Sequence, residues 1–370
     1  MNFYCNQNIL SKTLTTVSKA VTVRTTIPLL KGILIKAYDN QVTFTASDME
    51  ISIEKKIDAV VEEEGTLVIS SKIFSDIIRK LPNETIHIET INENQLTIKT
   101  SNSEFNLNYQ SAEEYPKTSL VEAPLHTLSF NKEIFKSMIK NTYFSASNDE
   151  SKGVIVGVLL EMKENNFNMV ALDGFRMAIS REKMISENSG NIIISGKTMG
   201  EMLKILAETE DQEDIKLIIG NQKAEMDFEN TKVTVRLIDG DFIRYRDILP
   251  KDCATKMIVN RSDLLTSIER ASLLAKEGKN NLIKCHIKEN LMTITSRSEE
   301  GNVKEELIVE KSGEDIEIGF NAKYIIEALK AIDDEEILME LKTSLTPCLI
   351  KPIEGDKFEY LILPVRISNH

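Results

Sequence analysis

No apolar run in this chain approaches the roughly 18 residues that a bilayer-spanning helix requires, so a protein anchored by membrane helices is excluded. The start, MNFYCNQ, lacks the charged and apolar regions of a secretion signal, and the expected location is the cytoplasm. Cysteine is sparse: Cys5, Cys253, Cys285 and Cys348 stand alone, without CxxC spacing. That pattern points to reduced thiols rather than a disulfide framework or a zinc site. Catalytic signatures are missing too. His87, His126, His286 and His370 are scattered, and none has a partner at metal-ligand spacing. There is no Walker loop, no GxSxG and no GxGxxG. Gly196–Lys197–Thr198 resembles the end of a phosphate loop but lacks its preceding glycine, and Asp333–Asp334 and Glu335–Glu336 read as solvated turns. An enzyme is not expected, nor is a cofactor or a metal.

What the sequence does contain is a threefold repeat. Ser70–Leu81 reads SSKIFSDIIRKL, Ser195–Leu206 reads SGKTMGEMLKIL and Asn321–Ile332 reads NAKYIIEALKAI. Each places a lysine (Lys72, Lys197, Lys323) at the head of an amphipathic helical pattern, and the lysines recur at about 125 residues, the length of a whole domain rather than a solenoid unit. Every unit opens with a short strand pattern and a helix (Asn6–Arg24, Asn131–Asn141, Asn260–Lys279). Two alternating runs follow, meeting at Asn40, Asn165–Asn166 and Glu289–Asn290, with the period of two expected of half-buried strands. More strands come after the lysine-bearing helix. Turn-formers collect at Ser111–Pro124 and Asp247–Thr255, too short and too poor in Gly and Ser for loose tethers. The expected domains are 1–120, 125–248 and 253–370, each large enough for its own core.

A formal charge of −13 ordinarily argues against a nucleic-acid partner. Its distribution argues the other way, because all six expected helices are net positive inside an otherwise acidic chain. The apolar stripes Leu10, Leu14, Val17, Val21 and Phe74, Ile77, Ile78, Leu81 mark the buried faces, and the basic residues fall largely between them. Helices gathered on one side of a sheet would form a basic wall without base-reading motifs, suited to phosphate contact of any sequence.

The triplication, the basic helices and the length together resemble the bacterial DNA polymerase III beta subunits, the sliding clamps, over the whole chain. The landmarks are RTTIPLL at Arg24–Leu30, ALDGFRMA at Ala171–Ala178, LIDGDFIRYRDILP at Leu237–Pro250 and LPVRI at Leu363–Ile367. The resemblance implies an α+β fold: three clamp domains, each with two helices packed on antiparallel sheets, forming half of a closed ring. A head-to-tail homodimer would encircle duplex DNA without sequence specificity and tether partners for processive synthesis. Implied partners are the clamp loader, the replicative DNA polymerase alpha subunit and other replication and repair proteins, with no membrane. The implied dimer joint pairs Phe105 and Leu107 with Leu273 and Leu274. The implied peptide cleft comprises Ile155, Leu172, Gly174, Phe175, Arg176, Met177, Ile243, Ile248, Leu345, Leu361, Leu363, Pro364, Val365 and Arg366, with Arg176 donating to peptide carbonyls. Leu172, Phe175 and Ile243 depart from the family pattern and make that cleft more apolar. Arg24 and Lys197 match family positions facing DNA; the charge count adds Lys72, Lys136, Lys140, Lys276 and Lys279.

Overall fold

A computed structural model describes residues 1–367 except 23, 118–120, 122, 164, 184–188, 209–213 and 277–278. Glu277, counted in the helix charge, and Ser368, Asn369 and His370 lie outside the described residues. The chain is α+β. Its α-helices among the described residues are α1 (Gln7–Val17), α2 (Ser71–Lys80), α3 (Lys132–Lys140), α4 (Gly196–Glu208), α5 (Arg261–Ala275) and α6 (Ala322–Ala331). The asparagines opening four of them act alike. Asn6, Asn131, Asn260 and Asn321 each accept from backbone N–H groups of the first turn through Oδ1, satisfying donors that a helix start leaves orphaned.

Two helices end earlier than their charge pattern suggests. The first stops at Val17 with a 3₁₀ turn at Ser18–Ala20, and Val21 is already extended. The β-branched Val21, Thr22, Thr25 and Thr26 hold the chain out of helix, so Arg24 lies beyond it. The fifth ends at Ala275, and Lys279 falls in a separate 3₁₀ turn, Lys279–Asn281.

The strands repeat in the same order three times. One four-strand group is Gly65–Ser70, Gly32–Tyr38, Gln41–Ser47, Ile51–Asp58; its counterparts are Gly190–Ser195, Gly157–Lys163, Asn166–Leu172, Arg176–Lys183 and Ile316–Asn321, Leu282–Lys288, Leu291–Ser298, Gly301–Ile308. The hairpins reverse where Asn40, Asn165 and Glu289 take positive φ, a conformation Asn tolerates better than most residues. A second group also recurs, ending in the strands Glu104–Gln110, Thr231–Arg236 and Phe358–Ile362.

The chain forms two compact units, Met1–Phe135 with Glu201–Leu237 and Lys136–Gly200 with Ile238–His370. They do not follow the three repeats, because the central repeat gives one sheet to each. In the first unit a 13-stranded sheet runs through the pairing of Ile51–Asp58 with Thr231–Arg236, where Ile53 faces Val233 and Ile51 faces Val235. In the second, Arg176–Lys183 pairs with Phe358–Ile362, where Ala178 faces Tyr360 and Arg176 faces Ile362. Both joints follow one rule: the fourth strand of one repeat bonds the last strand of the next. Two strands are left over. Gly301–Ile308 is paired on one side alone among the described residues, and Glu104–Asn108 likewise.

In the first and third repeats the two helices pack as a pair against the sheet. In the first repeat Gln7 Nε2 donates to the Ile78 carbonyl at 2.7 Å and Ser18 Oγ meets Ser71 Oγ at 3.1 Å. In the third, α5 and α6 close over Ile283, Cys285, Ile294 and Phe320 in one apolar cluster. Burial raises the Cys5 and Cys285 thiols to about 12, which keeps them as inert packing groups.

Candidate functional site

The joint within the second unit builds an apolar cleft. Strand alternation sends Leu159, Val170, Leu172, Met177 and Ile179 to the same face, where Leu349 and Leu361 from the third repeat join them; Ile155 and Leu363 pack half-buried alongside. Phe175 (54% exposed), Ile243, Ile248 and Leu345 (65%) are exposed; the Phe175 carbonyl accepts from the Leu363 N–H at 2.9 Å, and Ile243 lies beside Leu159. Pro364 and Val365 are half-buried and Arg366 exposed. The sequence-derived set thus divides into buried residues (Leu172, Met177, Leu361), half-buried ones (Ile155, Leu363, Pro364, Val365) and exposed ones (Phe175, Ile243, Ile248, Leu345, Arg366).

The turn at one wall is fixed by its own residues. Asp173 Oδ1 accepts from the backbone N–H of Phe175 (2.8 Å) and Arg176 (3.1 Å), and Gly174 takes φ +95° with nothing within 4 Å of an added Cβ. Glycine is needed there for its backbone, not for space. The expectation that Arg176 donates to a peptide is corrected. It is 6% exposed, and its guanidinium bonds Asp173 Oδ2, the Phe144 carbonyl and Glu327, between the Phe144 and Tyr324 rings. Its donors are spent inside the protein, so it shapes the wall.

A polar network that the family landmarks did not reveal holds the opposite wall. Glu161 accepts from Tyr245 Oη (2.8 Å), Asn168 Nδ2 (2.9 Å) and both Arg246 Nη atoms (2.9 and 2.5 Å). Burial opposes ionisation of this carboxyl, but the bonds from Arg246, Tyr245 and Asn168 prevail and lower its pKa to about 2. The network pins Phe242–Asp247, which with Leu159 and Asn191 encloses about 380 Å³. Its signal was available: Glu161 and Asn168 face each other across a hairpin and interrupt two otherwise apolar strands.

Of the expected phosphate-facing residues, Arg24, Lys72, Lys197 and Lys276 are exposed, and Lys136 is half-buried. Lys72, Lys197 and Lys323 each occupy the second residue of their helix. Lys140 is corrected: its ammonium pairs with Asp333 at 2.6 Å, so it offers little net charge. Lys279 lies in the 3₁₀ turn that follows α5. Phe105 (38%) and Leu273 (66%) are exposed, while Leu107 and Leu274 are half-buried. No group of three metal-ligating side chains occurs among the described residues, and no helix among them is long and apolar enough to cross a membrane.

Comparison with known proteins gives three family matches in chain order. Residues 1–119 match the N-terminal domain of the DNA polymerase III beta subunit, 129–243 its central domain and 246–366 its C-terminal domain. The beta sliding clamp of Bacillus subtilis is 34% identical over 379 residues, covering 99% of this chain and all of that one. Among solved structures, the B. subtilis sliding clamp superposes with a TM-score of 0.94 at 34% identity over the whole of both chains. A putative DNA polymerase III beta subunit from Eubacterium rectale gives 0.92 at 37%, covering 99% of this chain and all of the other.

Proposed function

The chain belongs to the DNA polymerase III beta subunit family, the sliding clamps, and from that membership and its strand joints we propose that two copies close head to tail into a ring around duplex DNA. The repeat rule carries this reading. Two of the three possible joints are made within the chain, and the fourth strand of the third repeat, Gly301–Ile308, and the last strand of the first, unpaired along Glu104–Asn108, are the two halves of the third. Carrying the register over by repeat, Phe105 would face Val303 of the other copy and Leu107 would face Gly301, as Val233 faces Ile53 and Val235 faces Ile51. Pairing these edges satisfies backbone groups that a lone subunit leaves open, and a heterologous contact that closes gives a ring. Leu273 and Leu274 at the end of α5 would pack at the same joint.

The domains in this reading are 1–120, 125–248 and 253–370. Arg24, Lys72, Lys136, Lys197, Lys276 and Lys279 face the phosphates, holding DNA by charge alone while the ring prevents sideways escape. The apolar cleft takes short peptides from the clamp loader, the alpha subunit of the replicative polymerase and repair proteins in the cytoplasm. Its branched and flexible floor, with Met177 among the leucines, suits several ligands sharing one site.

The deciding experiment is loading onto nicked circular DNA by a clamp loader, followed by linearisation. The expected outcome is retention on circles and loss from linear ends. Equal retention on both would mean ordinary binding and refute encirclement. Appreciable ATP turnover by the purified protein alone would refute a non-enzymatic role.

A further inference from the structure

The three lysine-headed helices differ in what their first acid does. Four residues after each lysine stands a carboxylate: Asp76 after Lys72, Glu201 after Lys197 and Glu327 after Lys323. In α2 and α4 it turns along its own helix to the cation three residues on, Asp76 to Arg79 at 2.5 Å and Glu201 to Lys204 at 2.9 Å. That is the ordinary local pairing of a solvated helix face. In α6 the corresponding cation, Lys330, pairs instead with Glu269 of α5 at 2.7 Å. Glu327 is left to face two other cations. One of its oxygens bonds the buried Arg176 guanidinium of the cleft turn, and the other lies 3.9 Å from Lys323.

Arg176 passes that contact to the turn. Its Nε donates to Asp173 Oδ2 at 3.0 Å, while Asp173 Oδ1 holds the N–H groups of Phe175 and Arg176. Tyr324, next to Lys323 on α6, stacks on the Phe175 ring at 6.3 Å and on the Arg176 guanidinium at 4.6 Å. The head of α6 and the exposed Phe175 are thus joined by continuous contacts: Lys323, Glu327, Arg176, Asp173, Phe175. The equivalent turn of the first repeat has no such chain. There Asp48 Oδ1 accepts from the Glu50 and Ile51 N–H groups at 3.0 and 2.9 Å, and Ile51 stands where Arg176 stands.

We propose that Glu327 couples phosphate at the head of α6 to the order of the cleft turn, so that the cleft is better ordered on DNA than off it. Lys323 matches Lys72 and Lys197 by repeat, and the inference rests on the reading that these lysines face phosphates. The Lys323 ammonium has two alternatives, Glu327 or a phosphate. With Glu327, the carboxylate is divided between an exposed cation and a buried one. With a phosphate, Lys323 is drawn off and the phosphate charge repels Glu327 toward Arg176. The buried pair then tightens, and with it the bonds of Asp173. An ordered turn costs a peptide less to bind against, and by linkage a bound peptide favours phosphate at Lys323. The effect is modest, because the Lys323 pair is long and its lysine is 58% exposed.

The test is hydrogen exchange, followed by mass spectrometry, on the full chain free and after loading onto nicked circular DNA. Retention on the circles is measured in every sample. The Phe175 and Arg176 amides should exchange about two- to fourfold more slowly on DNA. The Glu50 and Ile51 amides of the first repeat should not change, and the slowing should vanish in K323Q and in E327Q. K323Q leaves the buried bond between Arg176 and Glu327 in place, so it separates loss of coupling from damage to the turn. Equal exchange on and off DNA in retained wild-type protein would overturn the coupling and leave encirclement standing. Slowing that persists in either variant, or that extends equally to Glu50 and Ile51, would overturn it too. If the wild-type chain is not retained on circles, the reading that these lysines face DNA fails, and this inference with it.

Discussion

Replacing Glu161 by Gln tests whether the buried network secures the cleft wall. The carboxylate is nearly inaccessible and accepts from Tyr245, Asn168 and Arg246. Its pKa of about 2, against an ordinary 4.5, corresponds to about 3 kcal/mol of stability at neutral pH. Because the folded carboxyl ionises more readily than the unfolded one, the contribution is complete above the unfolded pKa and drains away as pH falls toward 2. At pH 3.5 about 2 kcal/mol should remain. Gln keeps the shape and can still bond Tyr245, but it cannot carry the charge. The wild-type-minus-E161Q difference in unfolding free energy, measured by denaturant melts followed through Tyr fluorescence, should therefore shrink on acidification. A gap that is the same at pH 7 and pH 3.5 would show that the charge is not what Arg246 holds. A variant as stable as the wild type at pH 7 would refute the network's role altogether.

Three further outcomes rest on the same geometry. Leu273→Asp puts a charge on the exposed end of α5 and should weaken the dimer by about 2–3 kcal/mol, the scale of a central interface residue; sedimentation velocity would then show monomer at micromolar protein with unchanged circular dichroism. Lys72→Ala, Lys197→Ala and Lys276→Ala combined should flatten the salt dependence of DNA binding by roughly one unit of log–log slope for each phosphate no longer neutralised, and an unchanged slope would remove these residues from the DNA surface. Lys140→Ala breaks an ion pair whose acid, Asp333, is mostly exposed, so it should cost under about 1 kcal/mol and leave loading rates unaltered; strongly impaired loading would restore Lys140 as a phosphate contact.

The repeat and its element order were legible because they rest on long-period identity and strand alternation, both local properties. Helix ends were less so: the basic residues at Arg24 and Lys279 extended the charge pattern past the point where β-branched residues and a separate turn had ended the helix. The role of Arg176 was misjudged for a related reason. An arginine beside a cleft looks like a donor for ligand, and nothing local announces that Glu327, some 150 residues away, and the Phe144 carbonyl occupy it. Lys140 and Asp333 are likewise distant in sequence. Long-range ion pairing is what a one-dimensional charge count cannot see.

The two joints inside the chain are each fastened by an ion pair, which bears on how the proposed ring could both grip and slide. At the joint inside the first unit, Lys19 just after α1 meets Glu208 at the end of α4 at 2.5 Å. At the joint inside the second, Lys140 at the end of α3 meets Asp333 just after α6 at 2.6 Å. Counting from the capping asparagines Asn6 and Asn260, the position of Lys19 in the third repeat is held by Leu273, an exposed apolar side chain. The joint proposed between subunits would therefore lack that ion pair and close mainly by apolar burial and strand pairing; the same register sets Glu104 opposite Lys304, a surface charge pair that adds little. Apolar contacts are insensitive to moderate salt, whereas phosphate contacts weaken steeply with it. Raising NaCl from about 50 to about 300 mM should leave the dimer dissociation constant within a few-fold while DNA affinity falls by orders of magnitude. A dimer that dissociates in parallel with DNA release would mean that charge, not Leu273 and the paired edges, holds the ring shut.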